Sequence, residues 1–143
     1  MRLPDANLLI YALDSTSPRH DRARAWVDAA LSGTEPDGFA WLVLLAVLRL
    51  TTSAAVFAHP LQAEEALDII EGWLAQPCAA VVHPTRRHTA VLRTLLAPLG
   101  TGGNLTGDAH LAALGIEHQG VVCSCDADFS RFPGLDWVDP LRS

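Results

Sequence analysis

Met1-Arg2-Leu3-Pro4-Asp5-Ala6-Asn7-Leu8-Leu9-Ile10-Tyr11-Ala12-Leu13 reads as a very short strand that stops at Asp5 and turns directly into an apolar helix. Such a junction leaves one carboxylate at the carboxyl end of a strand, the edge where open α/β sheets bind ligands. Two later stretches repeat the pattern. Gly103-Asn104-Leu105-Thr106-Gly107-Asp108 leads into a helix expected over residues 108–118, and Val121-Val122-Cys123-Ser124-Cys125-Asp126-Ala127-Asp128 closes a strand expected over residues 120–125.

Between these stretches the apolar pattern alternates between helical and strand periods. Residues 19–31 place Ala23, Trp26, Val27 and Ala30 at three-and-four spacing, with Arg22, Arg24 and Asp28 outward. Residues 32–38 read as a polar turn. Residues 39–50 are apolar on all sides, which predicts a helix buried on several faces or covered by a second copy of the chain, hence a homodimer. Helices are expected over residues 61–75 and 86–96, a buried strand over residues 79–82, and an extended piece over residues 135–138. Short apolar strands alternating with helices predict an α/β fold, a three-layer α/β/α sandwich around a central parallel sheet.

Composition removes several function classes. A length of 143 residues, half of them apolar, suits one compact folded domain. A net charge of −6 argues against a broad basic face that coats nucleic acid, so any such contact must be local. All ten basic residues are arginine. Without lysine the chain cannot be a Walker-type nucleotide binder, and Gly100-Thr101-Gly102-Gly103 is a loop. Three cysteines form no disulfide framework, and the paired spacings of a zinc site are missing. No secretory or membrane-spanning pattern stands out, which predicts a cytoplasmic protein with no membrane partner.

Each acidic residue taken singly has a structural explanation. Asp5 and Asp108 could be helix N-caps, and Asp126 and Asp128 turn residues. Jointly they are delivered to one rim of a parallel sheet, and like charges gathered there need a cation. Carboxylate oxygens without nearby His or Cys suit Mg²⁺, with Mn²⁺ as the alternative, and that chemistry suits hydrolysis of a phosphodiester.

The stretches Leu3 to Ala12, Gly103 to Leu114 and Ser124 to Phe132, in this order and context, resemble the PIN domain of VapC-type toxins, and the resemblance runs from about Leu3 to Leu141. It implies a single PIN-like domain over residues 1–143. It also implies an Mg²⁺-dependent endoribonuclease, the toxin of a type II pair, acting on RNA, usually homodimeric, and inhibited by a cognate VapB-type antitoxin. By position Asp5, Asp108 and Asp126 match the family's catalytic, metal-binding acids, with Asp128 as a further metal ligand or support. One departure stands out, because the family's glutamate, in a Glu-x-x-Arg-like context, is replaced here by Ala46 in Ala46-Val47-Leu48-Arg49.

That departure leaves two readings, a nuclease working with aspartates alone and a catalytically weakened or inactive module that binds antitoxin or RNA without cleaving. A DNA structure-specific nuclease shares the metal chemistry and ranks below both. Asn7 and Asn104 could orient a carboxylate or a water, or only cap turns. Arg49 could reach RNA phosphate or neutralise the acidic pocket. Ser124 is a candidate to support the acids or contact substrate, although its side chain is expected to point to the opposite strand face. His110 is expected to be structural, Trp41, Trp73 and Trp137 to pack in the core, and Arg86, Arg87 and Arg93 to be solvated.

Overall fold

The computed structural model describes residues 1–142. Five short strands, β1 (Arg2–Pro4), β2 (Asp37–Phe39), β3 (Ala79–Val81), β4 (Val121–Cys123) and β5 (Trp137–Val138), form one sheet in the order β3-β2-β1-β4-β5. Every neighbouring pair is parallel. Six helices flank it, α1 (Ala6–Leu13), α2 (His20–Ser32), α3 (Trp41–Thr51), α4 (Ala63–Leu74), α5 (His88–Leu96) and α6 (Thr106–Glu117), giving the α/β/α arrangement.

The topology explains where a site can form. From central β1 the chain builds outward to β2 and β3, then crosses back to place β4 on the other side of β1. The crevice between the carboxyl ends of β1 and β4 is therefore the switch point of the sheet, where helices diverge and leave a cleft. Leu3 and Val122, register partners on β1 and β4, are wholly buried in the sheet below it. The β1–β4 contact is so close that a Cβ on Gly120 would stand 2.4 Å from Leu3 Cδ1 and 3.0 Å from the Met1 carbonyl oxygen, so only glycine fits there.

Two expectations need correction. The polar turn at residues 32–38 gives way at Asp37 to the internal strand β2. Asp37, only 2% exposed, starts a strand because the Arg2 Nε on adjacent β1 donates to its Oδ1 at 2.9 Å, so the buried carboxylate is paired. Trp41 does not pack in the core: it is 47% exposed, and with Leu42 and Leu45 forms an exposed apolar face of α3. The other face of α3, Val43, Leu44 and Val47, carries the buried contacts. Trp73 is buried and stacks on Phe39, with ring centroids 6.2 Å apart. Trp137 is partly buried and donates its indole N–H to the Ser124 carbonyl at 3.0 Å. Among the described residues no helix is long and apolar enough to cross a membrane.

Candidate metal centre

Asp5 follows β1 directly, and its backbone N–H donates to the Cys123 carbonyl at 2.9 Å, fixing it beside the end of β4. It is the N-cap of α1: its Oδ1 accepts from the Ala6 N–H at 2.7 Å. Its Oδ2 accepts from the Ser124 hydroxyl, also at 2.7 Å.

Ser124 is the hub of the rim. Wholly buried, its Oγ donates to Asp5 while accepting from Asn7 Nδ2 at 3.2 Å and from the Asp126 N–H at 3.0 Å. The expectation that it faces away is wrong, for a physical reason: β4 ends at Cys123, so strand alternation no longer governs the next residue. Asn7 also accepts from the Cys125 N–H at 3.5 Å, a long contact that ties the first turn of α1 to the β4 loop. One serine and one asparagine thus lock together the two chain ends that deliver Asp5 and Asp126.

Asp126 accepts from the Asp128 N–H at 2.9 Å, forming a local turn that keeps the two half-buried acids together. Asp108 arrives from across the cleft. It lies inside the first turn of α6 and caps nothing: α6 has no side-chain cap. One oxygen from each of Asp108, Asp126 and Asp128 falls within 4.8 Å of the others. Asp5 lies outside this tight trio, both of its oxygens already accepting hydrogen bonds, although each keeps a lone pair. Asp128 also pairs with Arg131 at 3.6 Å, an exposed contact worth little.

Burial and mutual repulsion set the electrostatics of the acids. Burial, then the charges of Asp5, Asp126 and Asp128, push the Asp108 carboxyl up to about 6. Asp5 is also raised, chiefly by burial, with the Ser124 and Ala6 hydrogen bonds opposing and the Asp126 charge adding to the shift. Hard oxygen donors under mutual repulsion suit a divalent cation of the Mg²⁺, Mn²⁺ or Ca²⁺ type, and among the described residues no sulfur or imidazole joins the trio.

A cleft of about 270 Å³ opens between these acids and α3, lined by Asp5, Asp108, Leu42, Ala46 and Arg49. Ala46 therefore faces the acids and brings only a methyl group. Arg49, one turn further, is exposed on the same wall and pairs with no carboxylate among the described residues. Asn104 is not brought in: it is exposed on the 3₁₀ turn before α6 and makes no side-chain hydrogen bond to the acids among the described residues.

Sequence reasoning also missed a network behind the site. Glu117, the buried last residue of α6, accepts from the Thr85 N–H at 2.9 Å and its hydroxyl at 2.6 Å, and pairs with His88 Nδ1. The other His88 nitrogen meets His110 Nδ1 at 2.9 Å. Nothing in the local sequence joins residues 85, 88, 110 and 117; the i, i+3 step from Thr85 to His88 was the one available hint. The network ties α5 to α6.

A family profile described as a PIN domain matches residues 2–135. The chain is 47% identical over 140 residues to Ribonuclease VapC37 of Mycobacterium tuberculosis, covering 98% of this chain and 97% of that one. It is 42% identical over 142 residues to Ribonuclease VapC33 of the same organism, covering 99% of both. Among solved structures, VapBC2 of Rickettsia felis, bound to a DNA fragment from its promoter, superposes with a TM-score of 0.69 at 15% identity, covering 96% of each chain.

Proposed function

The chain belongs to the PIN domain family, and from that premise we propose that it is a divalent-metal-dependent endoribonuclease, the toxin of a type II toxin–antitoxin pair. The observation that carries the reading is the trio of carboxylate oxygens from Asp108, Asp126 and Asp128 within 4.8 Å of one another, beside Asp5 at the switch point of a parallel sheet. The full-length likeness to relatives named ribonucleases supports RNA as the substrate.

Asp108, Asp126 and Asp128 would hold the cation, Mg²⁺ or Mn²⁺, with Asp5 completing the acidic wall. The cation would supply Lewis acidity toward a phosphate oxygen and acidify a water for attack. The chain's own residues do the positioning. Ser124 holds Asp5 in one orientation, and Asn7 holds Ser124 and the Cys125 backbone, so the β4 loop cannot swing Asp126 away. Such support of metal ligands typically governs affinity and activity by about 10- to 100-fold. Arg49, on the α3 wall of the cleft, would offer its guanidinium to the phosphate backbone entering between α3 and α6.

The exposed Trp41, Leu42 and Leu45 face suits burial in a homodimer. The adjoining cleft, with an apolar Leu42 wall and an acidic floor, suits an antitoxin segment carrying apolar side chains and an arginine that pairs with the carboxylates. A cytoplasmic location accords with this role.

Ala46 favours one rival, a domain that keeps the binding surfaces but has lost turnover. Incubation of cellular RNA with the purified chain in Mg²⁺, in Mn²⁺ and in EDTA, beside Asp126→Asn, separates the two. Metal-dependent cuts absent from the variant establish the nuclease. RNA binding without cuts in either metal establishes the rival.

A further inference from the structure

Beside the Asp126 loop lies a second cavity, of about 360 Å³, lined by Arg19, Arg22, Arg142, Cys125, Trp137 and Asp139 among others. Three of the chain's ten arginines converge here, in a protein whose net charge is −6. Among the described residues none of the three makes an ion pair with a carboxylate, whereas Arg2, Arg24 and Arg131 all do.

The cavity is built, not a chance gathering of surface charge. Arg22 Nη1 donates to the Leu141 carbonyl at 2.8 Å, pinning the C-terminal segment against α2 and bringing Arg142 to the cavity. The Arg19 guanidinium lies 5.4 Å from the centre of the Tyr11 ring, which restricts it to that wall. Asp139, the one carboxylate lining the cavity, accepts from the Leu141 N–H through Oδ1 at 3.0 Å and also contacts the Cys125 thiol, so a single carboxylate faces three guanidinium groups there. Trp137 forms a wall and is fixed by its indole bond to the Ser124 carbonyl, so the cavity is anchored to the hub of the acidic site.

Position relative to the acids gives the cavity its meaning. Cys125 and Ala127, the chain neighbours of Asp126, both line it. Arg49 thus lines the cleft that holds Asp5 and Asp108, and the arginine cavity adjoins the loop that carries Asp126. A polyanion bound at the acids has guanidinium groups at both places, in the α3 cleft and beside the Asp126 loop. We propose that Arg19, Arg22 and Arg142 form a binding site for a backbone phosphate of the RNA strand adjoining the scissile one. Together with Arg49 the site sets the direction in which the strand crosses the rim. Planar guanidinium groups suit phosphate oxygens, and local placement suits an acidic protein that cannot attract RNA through its overall field. This inference rests on the ribonuclease reading and deepens it.

The test compares the full chain with the double variant Arg19→Ala/Arg142→Ala, leaving Arg22 in place because it holds the tail. Arg86→Ala/Arg87→Ala, exposed at the start of α5, is the control. The probe is a fluorescent single-stranded RNA of mixed sequence, bound in EDTA at several salt concentrations and followed by anisotropy. Each lost phosphate contact should flatten the slope of log K against log salt by about 0.7, so the double variant should lose about 1.4 and bind about tenfold or more weakly. The control should stay within about twofold of the unaltered chain. An Mn²⁺-induced rise in Tm, measured on both proteins, reports on the acidic site independently and should be retained by the double variant. Unaltered affinity and salt slope in that variant overturn the phosphate site while leaving the nuclease reading to its own cleavage assay. An unaltered chain that neither binds this RNA nor cuts cellular RNA overturns both.

Discussion

Asp108 and Glu117 stand at opposite ends of α6, and their carboxyl groups are driven in opposite directions. The helix dipole alone would favour an ionised carboxylate at the N-terminal end and oppose one at the C-terminal end. The protein shows the reverse. Asp108, in the first turn, is pushed up to about 6 by burial and by three neighbouring aspartates. Glu117, at the last residue, also suffers from burial, but hydrogen bonds from Thr85 and His88 outweigh it and hold the group below the usual carboxylate range. Immediate partners decide over the macrodipole. A carboxylate whose partners lie within the chain serves the fold, and one left facing its own kind is available to a cation.

The sharpest way to break this contrast is to remove each carboxyl in turn. Asp108→Asn and Asp126→Asn should each reduce metal-dependent RNA cleavage by more than the roughly 100-fold ceiling typical of supporting residues. Both should also abolish the metal-induced rise in Tm and leave the metal-free protein at least as stable as before. Glu117→Ala should do the opposite. Losing the buried acceptor strands Thr85 and His88, so stability should fall by about 3 kcal/mol, or roughly 10 °C in Tm. Cleavage per folded molecule should change little. A nuclease that survives Asp126→Asn, or a fold that ignores Glu117→Ala, would erase the distinction.

Ser124→Ala should fall between the two, because it serves the site without touching a cation. Losing its bond to Asp5 and its acceptor role toward Asn7 and the Asp126 N–H should weaken metal affinity by about 10- to 100-fold, read by titrating Mn²⁺ against Tm.

Acidity should separate the two ends of α6 by sign. Asp108 has a raised carboxyl, so its ionised form burdens the metal-free fold above about pH 6, and that burden lifts as the pH falls through about 6. Glu117 has a lowered carboxyl, so its stabilisation is complete above its ordinary value of 4.5 and drains away as the pH falls below that. In Tm measurements from pH 7.5 to 5.5, the metal-free chain should therefore gain from Asp108 and lose nothing from Glu117. Asp108→Asn should flatten that gain. Protons should also compete with Mn²⁺ in the same interval, so the metal-induced rise in Tm should shrink toward pH 5.5.

The smallest expected effect sharpens the comparison. Ala46→Glu would place a carboxylate on the cleft wall facing Asp5 and Asp108, and should tighten Mn²⁺ binding by roughly tenfold, about 1.4 kcal/mol. Weaker binding would mean that the acidic cluster already carries as much charge as the site tolerates.

Much of this was legible before any coordinates. Alternating apolar segments predicted a parallel sheet clad in helices, since strands buried on both faces leave continuous apolar runs. Three acidic stretches at strand ends and a helix start predicted a shared rim, and Asp5, Asp108, Asp126 and Asp128 do meet at the carboxyl ends of β1 and β4. The prediction failed where an identity depends on a distant partner. Asp37 reads as a turn residue until Arg2, on the neighbouring strand, makes its burial tolerable. Trp41 reads as core because hydrophobicity does not say which side of an apolar helix faces outward.

Residue types and their order along the chain thus determined the layer architecture and the absence of lysine chemistry and pointed to the candidate acids, because periodicity and local chemistry are written in neighbouring letters. Only the tertiary structure could make Ser124 a hub, turn Ala46 toward the acids, bring Arg19, Arg22 and Arg142 to one cavity, and divide the carboxylates of α6 into a satisfied one and a frustrated one. Each of those depends on groups far apart in sequence, and the free energy of a buried charge is set by what surrounds it in space.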